Sequence, residues 1–491
     1  MKTNSKVLLS LAIISSTIFA QAQTEGYMVD YSSYWGEMSD INIRGVGIDN
    51  SGNLFIGGRC KTPDDHNWDK SYKNGISSLD VFVAKLDADK GEEKYLRIMG
   101  GSDEDHLKAM DVDALGNVYL SGRSKSYDFP VTENAFHKKR EGTYDVIAAK
   151  LDPEGRVLYS AIFGARPMDE CRGVGCNSKG YAVYVGGTHG NEFPTTKGKF
   201  SKYHGPEELD PGLLVYKQSM YHSEDCFVTM VSPDGSKMEF SHLFGGYGFE
   251  KGWAADMDED GNSYVAGYST AKDLVVSQSA HSKLNNGVRD AFIAKFSPEG
   301  KLLASTYLGG SDDEGAYGVA CDSVGRIWVA GKTTSWDFPV KNPFYEKESN
   351  GQDVFIACFS QDLSEILFAS YVGGTGFEEM PSDGLCITKD QRVVLVGKTD
   401  SRDFYTIGKG QDFSSGGEDT DVFCVVVNAA TFECELSIRI GGEGSDEPGA
   451  VAAGDGEFWI AGSTKSVNFP ILGKDIKKDG DAFILRFLDK H

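Results

Sequence analysis

Past residue 20 the chain contains no apolar run near the ~20 residues that a membrane-spanning helix requires. A helical span is therefore not expected. Cations are also in short supply: 49 Lys and Arg stand against 73 Asp and Glu, and the formal net charge is −24. Residues 1–22 hold two lysines and no acid, so the chain without them stands at −26. A surface of this sign repels phosphate backbones and anionic lipid, so nucleic acid is not an expected partner. Cations, basic proteins and neutral glycans stay open as partners. The nine His are scattered, and there is no H-E-x-x-H, no G-x-S-x-G and no Walker-type loop. Motif-borne hydrolase, protease and nucleotide chemistry are thereby unsupported, and no cofactor is expected. A site assembled from separate repeats would leave no such trace. Nine Cys is a small and odd number, so at least one thiol is unpaired within the chain. Cys176 and Cys321 fall at a repeat position held elsewhere by Ile48, Val112 and Met257, which reads as core. Cys424 and Cys434 flank a hairpin turn and could meet across it, in a register that is left open.

Glycine, by contrast, is plentiful: 59 residues, about 12% where average usage is roughly 7%. It is spread evenly, as many turns would require. The chain opens with Lys2 and Lys6, the apolar run Val7–Ala20 and the small-residue site Ala20-Gln21-Ala22. This is the make-up of a secretory signal, so residues 1–22 are expected to be removed and Gln23 to begin the mature chain. No Cys follows that site, which argues against a lipid anchor. An exported protein is expected, periplasmic, at the cell surface or extracellular.

The rest of the chain repeats. "MDVDALGNVYLSG" from Met110 returns as "VACDSVGRIWVAG" from Val319, and each of seven copies joins two β-rich runs by a turn. A second signature is a strand opened by Asp, as in "DVIAAKL" at Asp145 and "DAFIAKF" at Asp290. A third ends a strand in two glycines and an acidic cluster: "TYLGGSDDEG" (Thr306–Gly315), "RIMGGSDEDH" (Arg97–His106) and "SYVGGTGFEE" (Ser370–Glu379). First signatures lie 64 to 66 residues apart, except for 80 between Val174 and Ala254. A fixed period of this kind means a solenoid, a propeller or an array. Four short strands per unit, apolar at consecutive positions, suit sheets buried on both faces between neighbours. The last unit lacks its fourth strand, and Gly26–Gly36 forms an orphan fourth strand at the start. The fold expected over residues 23–491 is thus all-β: a single seven-bladed β-propeller of four-stranded blades. The N-terminal strand completes the last blade and closes the ring, covering two exposed edges.

The pattern YLGGSDDEG…WVAGxTxSxDFP…DxFIAKFSPxGxLLxSTYLGG resembles the bacterial seven-bladed beta-propeller (SBBP) repeat family over essentially the whole mature chain. The resemblance implies the propeller fold and an exported bacterial protein, and it implies no catalytic motif. Its DFP element stands at Asp128-Phe129-Pro130 and Asp337-Phe338-Pro339. Looser forms are Glu192-Phe193-Pro194, Asn468-Phe469-Pro470 and Asp403-Phe404; blade one lacks it, and Asp273-Leu274 only hints at it.

Three features are candidate sites. Aligning the repeats puts Asp105, Asp169, Glu250, Glu314, Glu378 and Asp446 at one position, with Asp40 close to it in the first unit. These carboxylates read either as an acidic ring at the channel mouth or, more simply, as caps on the N–H groups of their own turns. Asp256, Asp258 and Asp260 begin like a calcium loop, but its twelfth position is Gly267 instead of Glu, and a plain β-turn is the simpler reading. "DSVGRIW" carries one residue too many before its Gly to match the sialidase Asp box. Blade three holds a 37-residue loop, 188–224, where its sisters hold 18 to 23. Its Tyr203, His204, Tyr216 and Tyr221 suit either a binding lip or a packed lid. The function expected is a monomeric binding or scaffolding module that takes a protein or glycan on its long-loop face. The alternative is a carbohydrate-active hydrolase or lyase that uses ring carboxylates as acid and base.

Overall fold

A computed structural model describes residues 27–35, 39–61, 79–89, 91–196, 224–346, 351–407, 412–413, 419–471 and 482–489. Seven sheets, antiparallel but for the short edge segment Asp412–Phe413 that pairs parallel in the sixth, follow one another along the chain and pack side by side into a seven-bladed β-propeller. Blade two shows the pattern. Its inner strand is Asp105–Val112, followed by Val118–Ser124, Asp145–Leu151 and the outer strand Val157–Phe163. The runs that read as apolar at consecutive positions are buried throughout: every residue of Asp145–Leu151 is covered. Both faces of each blade meet a neighbour, so alternation has no solvent face to mark.

The turn between inner and second strand is written in two residues. Asp113 Oδ1 accepts Leu115 N at 3.0 Å and Asn117 N at 2.9 Å, and Gly116 closes the turn at φ +87°. Asp49, Asp258 and Asp322 hold their turns in the same way, with Gly52, Gly261 and Gly325 at positive φ. Only glycine adopts that conformation without steric cost.

The ring closes through its first strand. Tyr27–Trp35 pairs antiparallel with Ala482–Asp489, so the sheet of blade seven runs from the N-terminal strand through the C-terminal one to Asp446–Ala453. Tyr27, Val29 and Tyr34 enter the core shared with blade six, whereas Trp35 enters the core shared with blade one. The N-terminal strand thus sits in the seam that makes the molecule a ring. In blades two to six the described part of the long loop covers the outer edge. Thr132 N donates to Ser160 O, Ser277 N to Ser305 O, and Lys341 exchanges two backbone bonds with Ala369. Each loop runs back along the outer strand of its own blade and removes a free edge.

Two sequence motifs interlock. The DFP carboxylate accepts from the turn of the preceding glycine pair: Asp128 Oδ1 from Ser102 N (2.8 Å), Asp337 Oδ1 from Ser311 N (2.8 Å) and Asp403 Oδ1 from Thr375 N (2.8 Å). The Phe that follows stacks on the Phe of the third strand, as in Phe338 with Phe355 at 4.6 Å and Phe469 with Phe483 at 4.5 Å. Leu274, in the blade whose DFP element is weakest, occupies the same buried place.

None of the nine cysteines is joined in a disulfide among the described residues. Cys424 lies opposite Ile438 and Cys434 opposite Val427, so the two residues are out of register and do not meet across the hairpin.

Candidate functional site

The registers place the start of each inner strand, the end of the second, the start of the third and the end of the outer strand on one face. The long loops and the glycine turns leave from this face. Six of the seven expected carboxylates, Asp105, Asp169, Glu250, Glu314, Glu378 and Asp446, each begin an inner strand there. All six are fully buried. Glu314 Oε2 accepts Gly310 N at 2.8 Å and its Oε1 accepts Thr333 Oγ1 at 2.6 Å. Glu250 accepts Gly246 N and Ser269 Oγ, both at 2.8 Å, and Asp105 accepts Gly101 N at 2.6 Å and Ser126 Oγ at 2.9 Å. They bond within the loops of their own blades, and none lines the cavity at the channel mouth.

Asp40 is not the seventh member. Asn42 pairs with Arg59 as His106 pairs with Arg123, so Ile41 takes the place of Asp105, while Asp40 is exposed with φ 55°. Ile41 and Cys60 are both buried among apolar neighbours. Where blade one loses the carboxylate it also loses the hydroxyl that would bond it, since Cys60 stands where other blades have Ser124, Thr188, Ser269 or Thr333.

The channel mouth is built by a different residue in each blade. In every blade but the sixth the inner strand carries a β-bulge, at its fourth residue in blades two to five and seven and at Arg44, the sixth residue of Ser39–Ile48, in blade one. A bulge leaves one residue unpaired and re-aims its side chain. The bulged residues are Arg44, Lys108, Arg172, Trp253, Tyr317 and Gly449 in blades one to five and seven. In blade six the bulge has grown to three residues, Pro381-Ser382-Asp383, between Glu378–Glu379 and Leu385–Ile387. This segment crosses the channel: Asp383 Oδ2 accepts Met110 N of blade two at 3.2 Å, and Asp383 O accepts Val451 N of blade seven at 2.9 Å. Pro381 lines a cavity of about 370 Å³ above it, Asp383 lines one of about 330 Å³ below it, and Ser382 lines both.

The upper cavity opens on the long-loop face. Arg44, Lys108, Arg172, Arg289 and Lys332 line it, with Glu379 as the one carboxylate among the described residues. Trp253, Tyr268 and Tyr317 form an aromatic side. Trp253 meets Tyr317 edge to face at 4.8 Å, and the Arg172 guanidinium lies 4.3 Å over Trp253. Arg289 lies 4.6 Å over Tyr268 and Lys332 5.4 Å over Tyr317. Beneath the cations sits one buried acid: Glu170 pairs with Arg172 at 2.6 Å, Lys108 and Arg123 at 3.1 Å and Lys251 at 3.2 Å. Those four partners outweigh burial and hold Glu170 well below the usual carboxylate range. Burial lowers Lys108 to about 7, with Glu170 opposing and Arg172 and Arg123 assisting. Burial, Arg59 and Lys108 likewise hold His106 down at about 3. In a chain of net charge −24, this is a basic basin.

Repeat alignment did not single this ring out. Its signal was a column whose chemistry changes from blade to blade (Arg44, Lys108, Arg172, Trp253, Tyr317) inside a frame that otherwise repeats small residues. Asp256 and Asp258 are used separately: Asp256 Oδ2 accepts Cys321 N at 2.8 Å, and Asp258 accepts from Asn262 N and Tyr264 Oη, while Asp260 is exposed. Among the described residues no group of His, Cys, Asp and Glu is placed to hold a metal ion. Tyr203, His204, Tyr216 and Tyr221 lie outside the described residues. The strands that flank their loop end at the basin's edge, where Glu224 pairs with Lys251 at 2.8 Å.

No family model matches the chain. The curated regulatory protein FlaEY of Caulobacter vibrioides is 26% identical over 268 residues, which is 52% of this chain and 26% of that protein. The chain thus spans about a quarter of that relative's length. Among solved structures, a catalytically inactive virginiamycin B lyase from Staphylococcus aureus is similar at 9% identity and TM-score 0.47, covering 94% of this chain and 99% of that one. The β-propeller domain of the Trilobed protease from Pyrococcus furiosus is similar at 10% identity and TM-score 0.43, covering 88% and 91%. BamB from Moraxella catarrhalis is similar at 11% identity and TM-score 0.37, covering 91% and 85%.

Proposed function

We propose that this protein is an exported β-propeller of the SBBP repeat type that binds a protein or glycan ligand, and that the ligand sits at the channel mouth on the long-loop face. The observation that carries the reading is the bulge ring. Seven nearly equivalent strands there present three cations, two aromatics, a crossing segment and a glycine. That asymmetry lets a pseudo-symmetric ring hold one ligand in one orientation. The crossing segment of blade six gives the basin a floor, and concave sites with a few convergent polar groups are the usual form of ligand pockets. A binding role is favoured over hydrolysis by the state of the carboxylates. The six at the strand starts are buried and bonded to their own loops, and those near the basin are matched to cations: Glu170 as above, Glu379 and Glu447 with Lys398 at 3.3 and 3.0 Å. Acid–base catalysis needs a carboxyl pair open to substrate.

The test is a glycan and protein array probed with the mature chain and with Trp253→Ala. The variant should lose the wild-type hits while melting within a few degrees of wild type. Hits retained at equal strength by the variant place the ligand elsewhere on the molecule.

A further inference from the structure

The basin's cations are not all used. Glu170 engages Lys108 and Arg172, and Arg289 has Asp313 at 3.9 Å. Arg44 and Lys332, on opposite sides of the cavity, have no hydrogen bond and no ion pair among the described residues. Both are half-buried. Glu447 and Asp383 act on Arg44, and Glu379 and Asp313 on Lys332, only from beyond contact distance. A guanidinium and an ammonium withdrawn from water with no carboxylate in contact are costly, and the cost is relieved by an anion that enters with a ligand. A second orphan points the same way: the indole Nε1 of Trp253 is buried with no hydrogen-bond partner. Among the described residues that line this cavity donors therefore outnumber acceptors, and the floor formed by blade six confines a ligand to the upper side.

We propose that the basin binds a small organic oxyanion, a carboxylate or sulfate ester carried on a sugar-sized ring, with Arg44 or Lys332 pairing with the anion. The aromatic side receives the ring. Trp253 and Tyr317 stand edge to face, and Tyr317 is only 9% exposed, so the pair offers a stiff wall instead of a mobile arm. The Trp253 Nε1 is a donor for a ring hydroxyl or for the anion itself. An acidic sugar meets all three demands: negative charge, hydroxyl acceptors and a flat, weakly polar body. The inference rests on the reading that the channel mouth is the ligand site, and adds the sign of the ligand's charge.

Calorimetric titration at low ionic strength tests it with three probes on the full mature chain: galacturonic acid, galactose and sodium sulfate. Galacturonic acid should bind saturably and roughly tenfold or more tighter than galactose, since a charge-assisted contact is the difference between them. Arg44→Gln with Lys332→Gln should weaken galacturonic acid by about tenfold or more and leave galactose unchanged. Lys332→Gln alone, on the more open side chain, should give part of the loss and guards against a folding defect in the double variant. Galacturonic acid binding no tighter than galactose, or binding unchanged in both variants, overturns the proposal. Sulfate saturation with galacturonic acid silent also overturns it, because the ring then contributes nothing. A neutral array hit that is lost in Trp253→Ala but indifferent to Arg44→Gln and Lys332→Gln would retain the site and reject the anion.

Discussion

Gly100 sits between two carboxyl groups: a methyl built on it would lie 2.1 Å from Asp80 Oδ1 and 3.1 Å from Asp105 Oδ2. The same arrangement recurs at Gly309, between Asp290 and Glu314, and at Gly441, between Asp421 and Asp446. Glycine is required in the repeated phrase because two acids close over it. Burial pushes Asp105 and Glu250 up to about 7, and pushes Glu378 to about 7 with Asp353 adding to the rise. Their ordinary values are 3.8 for Asp and 4.5 for Glu. The folded state therefore holds these protons more tightly than the unfolded chain. The stability they contribute is complete below about pH 4 and is lost as pH rises through about 7. Stability measured by urea unfolding should fall between pH 5 and pH 8. Glu250→Gln with Glu378→Gln should flatten that fall, because the amide remains neutral throughout. A native chain that is more stable at pH 8 than at pH 5, or a double variant with an unaltered profile, would contradict this account of the acid pairs.

At the scale of the strand, Tyr34 shows how the first element does the work of an outer strand. Its hydroxyl donates to Ser466 O at 2.8 Å and accepts Phe469 N at 3.1 Å. Tyr307 makes the same clasp on Ala271 O and Leu274 N, and Tyr371 on Ser335 O and Phe338 N. Tyr34→Phe should cost about 1–3 kcal/mol, the range for leaving buried partners unsatisfied. Deleting residues 23–36 should cost several kcal/mol, since the buried side chains of two seams go with the strand. Calorimetric melting reads both; a deletion that melts within a degree or two of the native chain would show that the ring does not depend on this strand. The closure was legible because strand counting is a property of the repeat: a missing fourth strand at one end and an orphan at the other can be matched without coordinates. The bulges were not legible. A bulge adds no residue type of its own, and small residues on either side of it look like ordinary inner-strand packing. The swollen bulge of blade six was equally hidden, since Pro381-Ser382-Asp383 reads as a turn and not as a segment laid across a channel.

At the scale of the molecule, the acidic composition concealed a basic site. Net charge sums the surface, whereas a ligand samples the local field at the end of a cleft. The aligned carboxylates allowed two uses, an acidic ring at the channel mouth or, more simply, caps on the N–H groups of their own turns. The structure turns those carboxylates into the blades, and the bulged residues take the channel instead. The face was foreseen, since hairpin geometry puts the long loops and the glycine turns together; the sign of its charge was not. The most direct measurement is a selenate-containing crystal of the mature chain, examined by anomalous scattering at the selenium edge. The account predicts a peak within hydrogen-bond distance of Arg44 or Lys332 inside the basin. A basin without a peak, in crystals whose other surfaces bind selenate, would contradict it.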